Sequence, residues 1–161
     1  MYNPYPTDNP NVIVKNTPKG RGVFATRNIP AGVLIAEFVG ELIISDLATT
    51  VPADVVDHVI QVGPKEFISA KGRLAEIINH SCDPNCGIQN LTQVVTAYPV
   101  KAGDEITWDY RCSENSDWVL EQCLCGAERC TGRVNNYESL PDNFRAEYLQ
   151  KGMISEWISE I

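Results

Sequence analysis

The chain has 161 residues, of which 43% are apolar and 21% are charged, a composition typical of a globule with one domain and a small appendage. No apolar run approaches the roughly 20 residues that span a bilayer, and the N-terminus lacks the basic and apolar regions of a signal peptide. We therefore expect an intracellular protein, cytoplasmic in a bacterium and nuclear or cytoplasmic in a eukaryote. The net charge of −8 argues against direct nucleic-acid binding and suits a basic protein partner, although solubility alone would explain it equally well.

The first predicted strands flank a glycine-containing turn. Residues 1–10 contain three prolines and predict an extended leader, and strands are predicted at 12–14 and 23–26. Between them lies Lys19-Gly20-Arg21-Gly22, where backbone N–H groups can approach a ligand closely and Lys19 or Arg21 can hold a carboxylate. Hairpin turns also use glycine often, so this stretch alone does not distinguish a ligand site from a tight turn.

The middle of the chain predicts many short strands. They lie at 33–38, 41–44, 58–62, 66–70, 93–100 and 105–110, and a short helix capped by Ser45 is predicted at 45–48. The strands at 58–62 and 66–70 predict a hairpin that turns at Gly63-Pro64, and His58 is predicted to be a surface side chain. Because no strand–helix–strand rhythm is present, we expect a mainly β (α+β) fold of several small sheets.

The last part of the chain is helical in pattern. A helix is predicted at 141–150, and Ile154, Trp157, Ile158 and Ile161 then recur at helical spacing. This apolar stripe is expected to pack on the body of the protein, with a partner-binding face as the alternative.

The most polar stretch of the chain is 79–86, which reads Asn-His-Ser-Cys-Asp-Pro-Asn-Cys. It brings amide, imidazole, hydroxyl, thiol and carboxylate groups together, and Pro84 excludes it from a helix interior. An ordinary polar loop and part of an active site both remain open for this stretch.

A second cluster, Cys123, Cys125 and Cys130, follows in a turn that contains glycine. Three thiols supply three zinc ligands, and Cys82 is the natural fourth member of a tetrahedral site. Cys86 and Cys112 are then left over. The alternative is a secreted domain with three disulfides, which is disfavoured because a cysteine pattern of this kind in a reducing compartment more often binds metal.

Taken together, these motifs resemble those of the SET-domain protein lysine methyltransferases with a zinc-binding post-SET segment. The markers, in chain order, are Lys19-Gly-Arg-Gly22, Glu37-Phe-Val-Gly-Glu41, Asn79-His-Ser-Cys82, Gly103-Asp-Glu-Ile-Thr-Trp-Asp-Tyr110 and the three cysteines. The resemblance implies a SET-type fold in which the Asn-His-Ser-Cys segment and the segment ending in Tyr110 form a knot-like crossing. It also divides the chain into a leader (1–10), a SET domain (11–111), a post-SET zinc segment (112–133) and a C-terminal helical extension (134–161).

The resemblance also implies roles for individual residues. S-adenosyl-L-methionine, the methyl donor, is expected beside Lys19, Gly20, Arg21, Gly22, Asn79, His80 and Leu124, and zinc on Cys82, Cys123, Cys125 and Cys130. Tyr110 matches the tyrosine beside the reacting methyl group. Phe38, Trp108 and Tyr137 are expected to line the channel for the acceptor lysine, although Tyr137 is nearly as compatible with a simple surface residue.

The chain departs from the family pattern at three places. Phe38 replaces a common tyrosine, and Glu76 and Ile77 precede the polar stretch where Arg-Phe is usual, so a charge pair there is expected to be absent or reversed. Trp108 occupies a position that the resemblance links to the number of methyl groups added. It lacks a hydroxyl to hold water but is bulky, so its two effects oppose each other and the degree of methylation stays open.

The resemblance implies methyl transfer from S-adenosyl-L-methionine to the ε-amine of lysine in a histone or another basic protein. The alternative is a non-catalytic SET-like module that binds a basic protein partner. Donor binding distinguishes the two hypotheses.

Overall fold

The computed structural model describes residues 9–46, 50–52 and 56–161. Most of the predicted leader and half of the predicted helix at 45–48 therefore lie outside the described residues. None of the helices in these ranges is long and apolar enough to cross a membrane.

Ten strands form two sheets within the described ranges. They are β1 (Val12–Thr17), β2 (Gly20–Ala25), β3 (Leu34–Glu37), β4 (Glu41–Ile44), β5 (Val59–Gln61), β6 (Glu66–Ser69), β7 (Asn79–His80), β8 (Cys86–Gln89), β9 (Gln93–Thr96) and β10 (Glu105–Trp108). The larger sheet has the order β1-β2-β10-β8-β9-β3, with β7 also paired to β10, and the smaller sheet has the order β4-β6-β5. The predicted mainly β fold of several small sheets is confirmed.

The first hairpin is tighter than the sequence predicted. β1 and β2 pair antiparallel from Val12 opposite Ala25 to Thr17 opposite Gly20, so Gly20 already belongs to β2. Gly20 has a φ of 106°, a left-handed conformation that glycine adopts without steric cost. The turn itself consists of Pro18 and Lys19, and Lys19 N–H donates to Thr17 Oγ1 at 3.0 Å.

The polar stretch at 79–86 is not a simple loop, because β7 and β8 begin at its two ends. β7 runs parallel to β10 with Asn79 opposite Thr107, and β8 meets β10 at Cys86 opposite Trp108. Between them, the Asn85 side chain donates to Glu105 O at 2.8 Å and accepts from Thr107 N–H at 3.0 Å. The two segments of the expected crossing therefore lie side by side, and the threading of one through the other stays a prediction.

Gly40 lies between β3 and β4, which belong to different sheets. A Cβ atom on Gly40 would lie 1.8 Å from Ser69 O, so no larger residue fits between β3 and β4. β6 then pairs with both β4 and β5, which confirms the predicted hairpin about Gly63-Pro64.

The C-terminal segment packs into the same core as the sheets. It contains α1 (Asp142–Gln150) and the short α2 (Glu156–Ser159). Ile154 and Ile158 are buried and Trp157 Nε1 donates to Gln61 O at 3.1 Å, as expected of an apolar stripe that packs on the body. The expectation is wrong for Ile161, which is 78% exposed because α2 ends at Ser159.

We expect Gly87→Ala to destabilise the fold. A Cβ atom at Gly87 would lie 2.3 Å from Met153 Cα, and next to it Ile88 N–H donates to Met153 O at 2.9 Å. The backbone contact cannot be relieved by a side-chain rotation, so we expect a loss of about 1–3 kcal/mol in the free energy of unfolding, measured by urea denaturation. Gln89→Ala on the same strand is the control, with an expected change within about 0.5 kcal/mol. Equal stability of the two variants would contradict the close packing of the C-terminal segment on β8.

Candidate active site and metal centre

Two cavities meet at the end of β10. The larger one, of about 310 Å³, is lined among others by Phe38, His58, Glu76, Trp108, Tyr110 and Trp118. The smaller one, of about 220 Å³, is lined by Lys19, Asn79, His80, Tyr110, Leu120, Gln122, Cys123, Leu124 and Cys125. Asn79, Tyr110 and Leu120 line both cavities, so these residues form the wall between them.

Tyr110 is held rigidly at this wall. Its hydroxyl donates to Ile78 O at 2.9 Å, and its backbone N–H donates to His80 Nδ1 at 3.2 Å. Its ring lies 4.8 Å from the Trp108 ring and 5.8 Å from the Trp118 ring, measured between centroids. Burial raises the pKa of Tyr110 above its usual range, so the phenol stays protonated at neutral pH.

His80 is a neutral imidazole in this arrangement. Burial lowers the pKa of His80 to about 4, although Asp109 opposes the shift. Because Nδ1 accepts the Tyr110 N–H, the ring proton belongs on Nε2, which lies 3.3 Å from Cys82 Sγ. His80 therefore connects the tyrosine to the cysteine cluster.

A buried ion pair between Asp109 and Arg111 lies next to His80 and Tyr110. Asp109 and Arg111 are 0% and 1% exposed, and their closest oxygen and nitrogen atoms lie 2.6 Å apart. Arg111 also donates to Thr131 Oγ1 at 3.2 Å, and Tyr148 OH from α1 donates to Cys82 O at 3.3 Å and to Asp109 Oδ2 at 3.4 Å. Sequence reasoning missed this network, because an Asp-x-Arg spacing by itself carries no signal.

The four predicted zinc ligands come together. The Sγ atoms of Cys82, Cys123, Cys125 and Cys130 all lie within 4.8 Å of one another. Tetrahedral zinc with bonds of about 2.3 Å requires sulfur atoms about 3.8 Å apart, so a small closure of the cluster accommodates the ion. Burial acts to raise the pKa of Cys125, but hydrogen bonds from the backbone of Cys82 and Ala127 and from the neighbouring thiols outweigh it and lower the pKa to about 7. A thiolate is therefore accessible near neutral pH, which favours metal binding.

The other two cysteines belong to the core. Cys86 and Cys112 are fully buried, and burial raises the pKa of Cys86 to about 12 and that of Cys112 well above its usual value. All six cysteines are free thiols, which does not agree with the disulfide alternative.

The larger cavity only partly matches the predicted lysine channel. Phe38 and Trp108 line it, with their ring centroids 6.0 Å apart. Tyr137 does not line it, since its ring lies under Arg145, 4.9 Å from the guanidinium carbon. Trp118 provides an aromatic wall instead, and no motif in the sequence singled it out.

The prediction that His58 is a simple surface side chain is wrong. His58 Nδ1 lies 2.7 Å from Glu76 Oε2, and the Glu76 side chain is only 4% exposed. Both line the larger cavity. The structure therefore places an imidazole beside the Glu76 carboxylate, at a position where the sequence predicted an absent or reversed charge pair. No sequence pattern indicated this partner, because the two residues lie far apart along the chain.

The comparisons with known proteins agree with this site. A family model described as SET domain matches residues 20–111, which is more than half of the chain, so the chain belongs to the SET-domain family. A histone-lysine N-methyltransferase, H3 lysine-4 specific, of Schizosaccharomyces pombe is 32% identical over 130 residues, covering 71% of this chain and 14% of that protein. Histone-lysine N-methyltransferase met-2 of Caenorhabditis elegans is 38% identical over 92 residues, covering 48% of this chain and 7% of that protein.

A solved structure shares the fold. The crystal structure of KRYPTONITE in complex with mCHH DNA, an H3(1-15) peptide and SAH superposes with a TM-score of 0.57 at 29% identity, covering 77% of this chain and 29% of that one. The chain thus spans less than a third of the length of each of these proteins. The resemblance that the sequence motifs indicated is confirmed at the level of the family.

We expect purified protein to carry about one zinc ion per chain. Cys125→Ser should abolish this stoichiometry, because it removes one of the four ligands, the thiol whose pKa is lowered to about 7. Cys86→Ala is the matched control, since Cys86 is buried outside the cluster and should leave the metal content unchanged. Elemental analysis by plasma mass spectrometry after exhaustive dialysis measures both. A full zinc complement in Cys125→Ser would contradict the four-thiol site.

Proposed function

We propose that this chain transfers a methyl group from S-adenosyl-L-methionine to the ε-amine of a lysine in a protein substrate. The observation that carries the proposal is the pair of cavities that share Tyr110. A donor in the smaller cavity and a lysine side chain in the larger one approach each other from opposite sides of this residue. Binding both reactants in line at one wall supplies most of what such a reaction needs.

The smaller cavity has the groups that a charged nucleoside requires. The donor supplies a sulfonium-activated methyl group, which the amine nitrogen takes up as the carbon–sulfur bond breaks. Lys19 and Asn79 offer an ammonium and an amide for the amino-acid end, and Leu124 offers an apolar surface for the adenine. Leu124 is held there by the cysteine cluster, so a zinc ion on those thiols would order the donor site without taking part in the reaction.

The larger cavity suits a lysine side chain. The rings of Phe38, Trp108 and Trp118 give it apolar walls, while Glu76 contributes a carboxylate. A free lysine has a pKa near 10.4, so only a fraction on the order of 10⁻³ is neutral at pH 7. Apolar walls and the adjacent sulfonium charge both disfavour the ammonium form and so favour release of its proton to solvent. The neutral Tyr110 hydroxyl donates its hydrogen bond to Ile78 O, so the lone pairs of its oxygen remain available to orient the amine.

The charge of the chain and its relatives support a basic protein as the substrate. The net charge of −8 favours encounter with a lysine-rich segment. The relatives are named histone-lysine methyltransferases, and the KRYPTONITE complex contains a histone H3 peptide. That complex also contains DNA, so the absence of direct nucleic-acid binding stays a prediction for this chain, as does its intracellular location.

We expect the wild-type protein to bind S-adenosyl-L-methionine with micromolar affinity in a calorimetric titration and to methylate basic proteins. Tyr110→Phe should retain donor affinity but lose on the order of 100-fold in turnover, because it removes the oxygen that orients the amine. Tyr98→Phe is the matched control, since its hydroxyl donates to Glu147 Oε1 at 2.7 Å away from both cavities. Equal loss of binding and turnover in Tyr110→Phe would make Tyr110 structural, and a folded wild type that binds no donor would favour the non-catalytic module.

We expect Trp108→Phe to shift the product towards more methyl groups per lysine. Trp108 lines the larger cavity, and its indole ring takes up more space beside the amine than a phenyl ring would. The substitution removes part of this ring. Mass spectrometry of a methylated peptide at matched turnover measures the distribution, and Val95→Ala at a buried position outside both cavities is the control for loss of side-chain volume. An unchanged distribution in Trp108→Phe would show that this ring does not limit methylation.

A further inference from the structure

Glu105, at the start of β10, makes two contacts with residues that line the smaller cavity. Its Oε2 lies 3.2 Å from Lys19 Nζ, and its Oε1 accepts a hydrogen bond from Asn79 Nδ2 at 2.8 Å. Only 19% of the Glu105 side chain and 27% of the Lys19 side chain are exposed, so the pair is partly shielded from water. Glu105 itself does not line the cavity.

The contact with Asn79 fixes the orientation of its amide. Asn79 Nδ2 donates to both Glu105 Oε1 and Arg21 O, each at 2.8 Å. Since both amide hydrogens are then used, the oxygen is the group that Asn79 can offer to a ligand, and it acts as an acceptor. If the amide were turned over, its oxygen would face the Glu105 carboxylate and the Arg21 carbonyl, and both contacts would become repulsive.

Gly22 makes room for this arrangement. A Cβ atom at Gly22 would lie 2.7 Å from Glu105 Oε1 and 3.2 Å from Asn79 Nδ2. The second glycine of the Lys19–Gly22 stretch therefore allows the carboxylate and the amide to meet. The sequence left a ligand site and a tight turn both open for this stretch.

We infer that Glu105 is a positioning residue for the amino-acid end of the methyl donor. Through its two contacts it places the Asn79 oxygen as an acceptor for the donor's α-ammonium group and the Lys19 ammonium as a cation for its α-carboxylate. A preorganised acceptor and a preorganised cation suit a zwitterion, because neither has to be reoriented when the ligand binds. The inference rests on the proposed function, since it assigns the smaller cavity to the donor.

The test compares two nucleosides that differ in the amino-acid end. S-adenosylhomocysteine carries the amino-acid end, whereas 5′-methylthioadenosine lacks it.

We expect Glu105→Ala to weaken the binding of S-adenosylhomocysteine about tenfold in calorimetric titration and to leave the affinity for 5′-methylthioadenosine within about twofold of wild type. Glu105→Gln can still accept from Asn79 but cannot pair with Lys19, so it should lose about threefold for S-adenosylhomocysteine only. Glu66→Ala, at another half-buried strand glutamate, is the matched control and should bind both nucleosides as wild type does.

The outcomes separate this inference from the proposed function. Equal losses for the two nucleosides, or no loss in either Glu105 variant, would overturn the positioning role. A folded wild type that binds neither nucleoside would overturn the proposed function itself. If Glu105→Ala does not fold, the near-isosteric Glu105→Gln carries the same comparison.

Discussion

The buried ion pair between Asp109 and Arg111 connects the parts of the molecule that the site requires. Removing two charges from water is costly, so such a pair is stable only when its remaining hydrogen-bonding groups are satisfied. Here the partners come from separate segments, Thr131 beyond the cysteine cluster and Tyr148 on α1. Removal of either Asp109 or Arg111 would leave the other charge buried and uncompensated, with an expected cost of about 3–5 kcal/mol. The end of β10, the cysteine cluster and the C-terminal helix are therefore energetically coupled.

This coupling bears on how the chain is divided. The motifs suggest a SET domain up to residue 111, a zinc segment at 112–133 and a helical extension, and these boundaries remain predictions. In the structure, Phe144, Tyr148 and Met153 belong to the same hydrophobic core as the sheet residues. Arg129 from the cysteine cluster lies over the Phe144 ring at 3.7 Å from its centroid and pairs with Glu147 at 2.9 Å. The C-terminal helix thus supports the cluster that holds Leu124 at the smaller cavity.

The two cavities differ in their electrostatics, and the difference suits two different ligands. The smaller one presents Lys19, a cation, beside a neutral amide and a neutral imidazole. The larger one combines aromatic rings with the His58–Glu76 pair. Tyr110 stays neutral between them because burial disfavours its ionised form. A residue that neither gains nor loses a proton is compatible with a reaction in which the sulfonium already provides the leaving group.

The amino-acid sequence alone determined the fold class, the hairpin at Gly63-Pro64 and the α1 helix, since each depends on patterns within short segments. It also indicated the four thiols, because three of them are clustered and Cys82 lies in the most polar stretch of the chain. Residue spacing, turn glycines and period-two alternation act locally and can be read without a structure. Only the tertiary structure showed that Trp118 lines the larger cavity while Tyr137 does not. It also showed that Glu76 contacts His58 and that Glu105 contacts both Asn79 and Lys19. Glu105 lies 26 positions from Asn79 and 86 positions from Lys19 along the chain. Such pairs are decided by the parallel register of β7 with β10 and by the antiparallel register of β2 with β10, which no local pattern specifies.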